Sequence, residues 1–177
     1  MKKTITAAVL YKHKQPLKIY KEIILKDLKK NQVLVKIKYS GLCGSQIAEI
    51  NGYRDDKKYL PHFLGHEGYG GVIATGSSVK KVKKKDKVIL SWIKGKGKES
   101  GGNKFFYKNN VINYGSVTTF STYSLISENR VFKAPKKISS KHAVLFGCAI
   151  PTGLGMLFNE LKPKKNKTFL LMGLGGI

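Results

Sequence analysis

Arginine is nearly absent from this chain. Only Arg54 and Arg130 carry a guanidinium, although 34 of the 177 residues are Lys or Arg against 10 acids, a formal charge of +24. A domain this basic invites a nucleic-acid or acidic-membrane partner. Base reading and phosphate clamping, however, lean on arginine forks. No zinc finger, RNP motif or GXXG loop accompanies the charge. The lysines are spread along the whole chain and are densest in "KKVKKKDK", 80–87. The charge therefore reads as a lysine-rich solvated surface with no specific nucleic-acid partner. Non-specific affinity for polyanions at low salt follows from it.

Cysteine is scarce too. Two residues, Cys43 and Cys148, exclude a disulfide framework of the small secreted type. No apolar run reaches transmembrane length, so no membrane partner is expected. The start, "MKKTITAAVLYKHKQ", has the basic opening of a signal peptide but lacks its cleavage site, and its apolar stretch runs into Lys12 and Lys14. A cytoplasmic location is expected, where cysteines more often bind metal or react than pair.

What is present begins with β-pattern. Strand candidates are 4–11, 17–25, 33–39, 69–75, 87–93, 120–126 and 131–134, separated by "HKQP", "DLKKNQ", "ATGSS" and "KKKDK". A short helix fits 44–50. Many short strands with polar turns point to a small barrel or sandwich. The segment 94–116, rich in glycine, lysine and asparagine, reads as a long loop or lobe. The pattern changes near Pro135. Ser139 or Ser140 caps one helix, and "PTGLGMLFNEL" at 151–161 forms a second, with Pro151 in its first turn. "TFLLM", 168–172, has the composition of a buried parallel strand, and a glycine turn follows. Helix, helix, strand and glycine turn mark entry into an α/β unit.

Three stretches carry chemistry. "SGLCGSQIAEING" at 40–52 sets Cys43 between glycines, with Ser45 two residues on. "LPHFLGHEGYGGVIATG" at 60–76 holds His66 and Glu67 between Gly65 and Gly68. "FGCAIPTGLG" at 146–155 offers Cys148 at the mouth of a helix. One imidazole and two thiolates are the ligand set of a catalytic zinc with an open fourth position. Their wide separations exclude a zinc knuckle. Judged singly, each residue has an ordinary reading: a buried cysteine, a loop histidine, a loop carboxylate. His13, His62 and His142 belong to no motif and are read as structural or surface.

The chain resembles the N-terminal part of the zinc-dependent medium-chain alcohol dehydrogenases. "GLCGSQ", "GHE" with "GYGGVIATGSSV", "KDKVILSW", "GCAIPTGLG" and "LLMGLGGI" occur in that family's order and at about its spacing. The resemblance implies a mainly β fold. A GroES-like β-barrel domain at 1–135 would bind the metal, and the first elements of an incomplete α/β Rossmann domain would occupy 136–177. It implies that Cys43, His66 and Cys148 bind one catalytic zinc, with Glu67 beside the metal. Ser45 would contact the substrate oxygen and start a proton relay. Thr152 would lie near a nicotinamide, and Gly173, Gly175 and Gly176 would belong to an NAD or NADP turn. The implied reaction moves hydride between an alcohol or polyol and NAD(P), in a protein that is a homo-oligomer at full length. Alternatives are a zinc-free quinone oxidoreductase-type reductase and a basic nucleic-acid-binding protein.

The chain also departs from that family. Segment 94–116 has no cysteine, so no structural zinc is expected, and Phe105, Phe106, Tyr107 and Tyr114 are expected to hold the lobe instead. Gln46 stands where the family usually has aspartate, which predicts weaker zinc binding, with Glu49 as a candidate substitute. Ala48 replaces the histidine that often extends the relay. Lys85 stands where a glycine usually makes a tight turn, predicting a strained positive φ. The sequence stops before the rest of a dinucleotide unit, so it is expected to be a fragment that is inactive alone. Exposure of the barrel surface that packs on the cofactor domain would favour self-association.

Overall fold

Strand β1 (Thr4–Leu10) shows why the first segment forms a sheet: its burial alternates, with Ile5, Ala7 and Val9 inside. The computed structural model describes residues 4–25, 27–53, 57–108, 110–173 and 175–176, so Arg54 and parts of the closing glycine turn lie outside the described residues. Strand β2 (Lys18–Ile24) pairs antiparallel with β1. Then come β3 (Gln32–Ser40), helix α1 (Gly44–Ile50), β4 (His62–Phe63), β5 (Glu67–Thr75) and β6 (Lys87–Ser91). The expected seven strands are all found, although the expected 120–126 strand begins later, as β9 (Tyr123–Ser127), and β10 is Val131–Lys133.

Segment 94–116 differs from the expected loop. It contains a hairpin, β7 (Asn103–Tyr107) and β8 (Asn110–Tyr114). Among the described residues only Phe105, Ile112 and Tyr114 are buried there, too few apolar positions to stand out among the lysines and asparagines. Their rings explain the hairpin. Phe105 and Tyr114 are 5.0 Å apart by centroid, and each also packs on Phe63. The Tyr114 hydroxyl accepts the Leu125 N–H at 2.8 Å, tying β8 to β9. Tyr107 meets Tyr20 edge-on at 4.7 Å. Phe106, expected to help hold the lobe, points outward and is 57% exposed. Two acids complete the attachment. Glu99 pairs with Arg130 at 2.8 Å and accepts the Ser127 hydroxyl at 2.6 Å. Glu128 accepts the backbone N–H groups of Lys80, Lys81 and Lys98.

The strands form two five-stranded sheets, ordered β2-β1-β4-β8-β7 and β10-β6-β5-β3-β9. Ile5, Phe63, Phe105 and Leu125 fill one core; Val33, Val35, Val72, Val88 and Leu90 fill the other. Lys85 has φ +76, the strained turn expected at that position.

Past β10, the Ser139 hydroxyl caps helix α2 (Ser140–Ala143) by accepting the His142 N–H at 3.4 Å. A 3₁₀ turn, Val144–Gly147, follows. Helix α3 (Ala149–Gly155) then runs into a π-turn, Met156–Leu161. Among the described residues no single helix is long and apolar enough to cross a membrane. The pair on either side of Cys148 together passes that length and apolarity but bends by 57°. Residues 168–172, expected as a strand, pair with nothing and are largely exposed, because no neighbouring strand among the described residues offers them a ladder.

Candidate metal centre

Three chain turns bring the candidate ligands together. Cys43 is the residue that enters α1, its φ and ψ of −107° and 149° extended as a cap requires. His66 lies in the turn between β4 and β5. Cys148 occupies the break between the 3₁₀ turn and α3, where φ −151 and ψ −64 interrupt the helical path. The ligand atoms of Cys43, His66 and Cys148 all lie within 4.8 Å of one another, and the two sulfurs are 4.0 Å apart. A tetrahedral ion with metal–sulfur bonds of about 2.3 Å sets its sulfurs about 3.8 Å apart. The donor set and its spacing therefore fit a divalent ion with one position open.

The carboxyl of Glu67 supports this cluster from below. Residue 67 opens β5 and is 2% exposed. Gly41 and Gly147 close over it from two sides. A Cβ at Gly41 would meet Glu67 Oε1 at 2.1 Å, and one at Gly147 would meet the Leu90 carbonyl at 2.4 Å and Glu67 Cβ at 2.6 Å. These glycines are required by close approach, not by turn geometry. The Ala149 N–H donates to Glu67 Oε2 at 3.3 Å, and the buried Ser91 hydroxyl donates to the Gly147 carbonyl at 2.6 Å. Both contacts pin the chain on either side of Cys148.

Electrostatics separates the two thiols. Burial alone raises Cys43, but hydrogen bonds from Ser45 and Cys148 outweigh it and hold this thiol below its ordinary value. Burial, and then the neighbouring Cys43 charge, push Cys148 up. Burial also raises Glu67, against hydrogen bonds from the Ala149 and Cys148 N–H groups.

The other expected site residues fall into two groups. Ser45 joins the cluster, with Oγ 3.4 Å from His66 Nδ1, and Thr152 lies beside Cys148, donating to its carbonyl at 2.8 Å. Among the described residues, Gly173, Gly175 and Gly176 have nothing within 4 Å of where a Cβ would be. Glu49, considered as a substitute for the acid that Gln46 replaces, turns elsewhere and pairs with His62 at 3.2 Å. Two further residues line the site that the sequence did not assign to it, although Trp92 closes the stretch "KDKVILSW". Trp92 stands 6.5 Å from the His66 ring, and Arg130 borders the same cavity of about 540 Å³, together with Ile93, Lys94, Ser116 and Val117. A cavity of about 600 Å³ against the β7–β8 hairpin is lined by Glu49 and His62 but by none of Cys43, Ser45, His66, Glu67, Cys148 or Thr152.

Residues 29–136 match the family model of the alcohol dehydrogenase GroES-like domain. The chain belongs to that family. It is 30% identical, over 97% of its length, to S-(hydroxymethyl)glutathione dehydrogenase of Escherichia coli strain SMS-3-5 / SECEC, of which it covers 53%. Among solved structures it is similar to benzyl alcohol dehydrogenase from Acinetobacter calcoaceticus, with TM-score 0.75 and 27% identity, covering 90% of this chain and 49% of that one. It is also similar to an alcohol dehydrogenase zinc-binding domain protein from Burkholderia ambifaria, with TM-score 0.72 and 25% identity, covering 92% and 50%. The chain thus spans about half the length of the curated relatives it matches.

Proposed function

We propose that this chain carries the zinc-binding part of an oxidoreductase that moves hydride between an alcohol or polyol and NAD(P). The convergence of Cys43, His66 and Cys148, from three distant turns, is the observation that carries this reading. When bound, the zinc supplies a Lewis acid that acidifies an alcohol hydroxyl or polarises a carbonyl. The protein's residues do the rest. Ser45 Oγ would accept the substrate's hydroxyl proton as its own hydroxyl hydrogen passes on to water, since Ala48 has no donor or acceptor side chain. Trp92, Ile93 and Val117 present apolar surface to the substrate and limit water beside it. Thr152, held to the Cys148 carbonyl, stands where a nicotinamide would approach. Glu67, buried beneath the turn that carries Cys148, would balance the charge of a bound metal.

In this reading residues 1–135 form the metal-binding domain and 136–177 the opening of the cofactor domain. The 177-residue chain by itself is expected to be inactive, because the unpaired 168–172 segment gives a dinucleotide no sheet to lie against. Zinc content tests the proposal. One zinc per chain, lost in Cys43→Ala and in His66→Ala, supports it. A purified chain that takes up no zinc overturns it and favours a zinc-free reductase of the same fold.

A further inference from the structure

We propose that Gln46 locks His66 in the tautomer that opposes metal binding, so that loading the metal requires the Gln46 amide to turn over and release the cap of helix α1. The inference rests on the zinc reading of Cys43, His66 and Cys148. It concerns how this chain's own residue sets the affinity of that site.

The amide of Gln46 has two ends and two neighbours. The Cys43 backbone N–H is a donor only, and it meets Gln46 Oε1 at 3.0 Å. That contact fixes the amide orientation. The other end, an NH₂ group that can only donate, then faces His66 Nδ1. A donor at Nδ1 requires a lone pair there. A neutral imidazole carries one proton, so that proton sits on Nε2.

A metal needs a bare nitrogen. The Gln46 NH₂ covers Nδ1, so Nε2 is the nitrogen left to take the ion. Its proton then moves to Nδ1 and meets the Gln46 NH₂ donor to donor, and the amide must turn over. Its oxygen then serves His66, and its NH₂ confronts the Cys43 N–H. The lost contact is the one that caps the first turn of α1, and it belongs to another candidate ligand. Gln46 is 3% exposed, so solvent does not replace the missing partner. The Ser45 hydroxyl, 3.4 Å from Nδ1, both donates and accepts and suits either tautomer. Gln46 is therefore a positioning residue that favours the metal-free state.

A carboxylate at 46 removes the conflict, because one oxygen accepts the Cys43 N–H while the other accepts an Nδ1–H. The test has two readouts on the 177-residue chain. The first is the ¹⁵N spectrum of the metal-free protein at pH 8, which distinguishes Nδ1–H from Nε2–H. His66 is expected as Nε2–H in the wild type and as Nδ1–H in Gln46→Glu. The second is zinc affinity by competition with a chelating dye, expected to be about tenfold tighter or better in Gln46→Glu. A wild-type His66 found as Nδ1–H, or as an even mixture, overturns the proposal and needs no variant. So does an affinity gain without the change of tautomer, which would be the added charge acting alone, and so does a tautomer change with no affinity gain. If neither protein takes up zinc, the zinc reading fails instead, while the wild-type spectrum still decides the tautomer.

Discussion

Gly147→Ala should dismantle the metal centre while leaving the barrel standing. The residue sits immediately before Cys148, and the chain there lies directly on β6 and β5. An added methyl would stand 2.4 Å from the Leu90 carbonyl and 2.6 Å from Glu67 Cβ. Neither is the far end of a flexible side chain. Relieving the carbonyl contact to an ordinary carbon–oxygen distance moves the turn by about 1 Å. Metal–ligand distances tolerate about 0.2 Å, so a shift of that size withdraws the Cys148 sulfur from a site it shares with Cys43 at 4.0 Å. Zinc affinity should fall about a hundredfold, the upper end of the effect of losing a contact that orients a metal ligand. Overpacking of this kind costs about 1–3 kcal/mol, which lowers the melting temperature without abolishing cooperative unfolding. Dye competition measures the affinity, and circular dichroism confirms the β content. Leu145→Ala is the control, since that side chain is 36% exposed on the same turn and should bind zinc normally. Affinity of Gly147→Ala within threefold of wild type would refute the claim that close packing on Glu67 and Leu90 aims Cys148.

Two other outcomes follow from the same structure. Burial raises Glu128, but the amides of Lys80, Lys81 and Lys98 outweigh it and hold the carboxyl below its ordinary 4.5. Its stabilisation is therefore complete above that value and is lost as pH falls through the lower folded value. Glu128→Gln should cost about 2 kcal/mol at pH 7 in urea unfolding and flatten the acid limb of stability; an unchanged acid limb would contradict this. The second outcome concerns the C-terminal face, where Phe158, Leu161, Leu170, Leu171 and Met172 are all more than half exposed. The chain should self-associate, and Leu170→Lys with Leu171→Lys should restore a monomer in sedimentation velocity without moving the urea midpoint. Self-association that is indifferent to those changes would place the sticky surface elsewhere.

The legible parts of the sequence were those with a local period or a local cap. Alternation in "TITAAVL" marked β1, the β-pattern at 33–39 marked β3, and the pair Ser139–Ser140 marked the start of α2, with Ser139 as the cap. The β7–β8 hairpin was not legible. Its stability comes from Phe63 and Leu125, far away in sequence, and its own strands each show one or two buried side chains. Segment 168–172 failed in the opposite way. Its composition is that of a buried strand, but a strand needs a neighbour, and composition does not reveal whether one is present. At the site, the residue types and order of Cys43, His66 and Cys148 were readable, and so was the neighbourhood of Glu67. Trp92 and Arg130 were not, since only the folded sheet brings their wall to His66. Glu49 looked suited to stand in for an acid near the ligands, one helical turn past Gln46. The rotation of α1 instead directs it to His62.

The central claim is that two cysteines and one histidine from separate turns hold a single ion with an open position. X-ray absorption at the zinc edge of the loaded 177-residue chain tests it most directly. One zinc per chain is expected, with two sulfur neighbours at about 2.3 Å and nitrogen or oxygen neighbours at about 2.0–2.1 Å. Sulfur coordination should halve in Cys148→Ser. Zinc bound with no sulfur neighbour, or a sulfur count unmoved by that substitution, would contradict it.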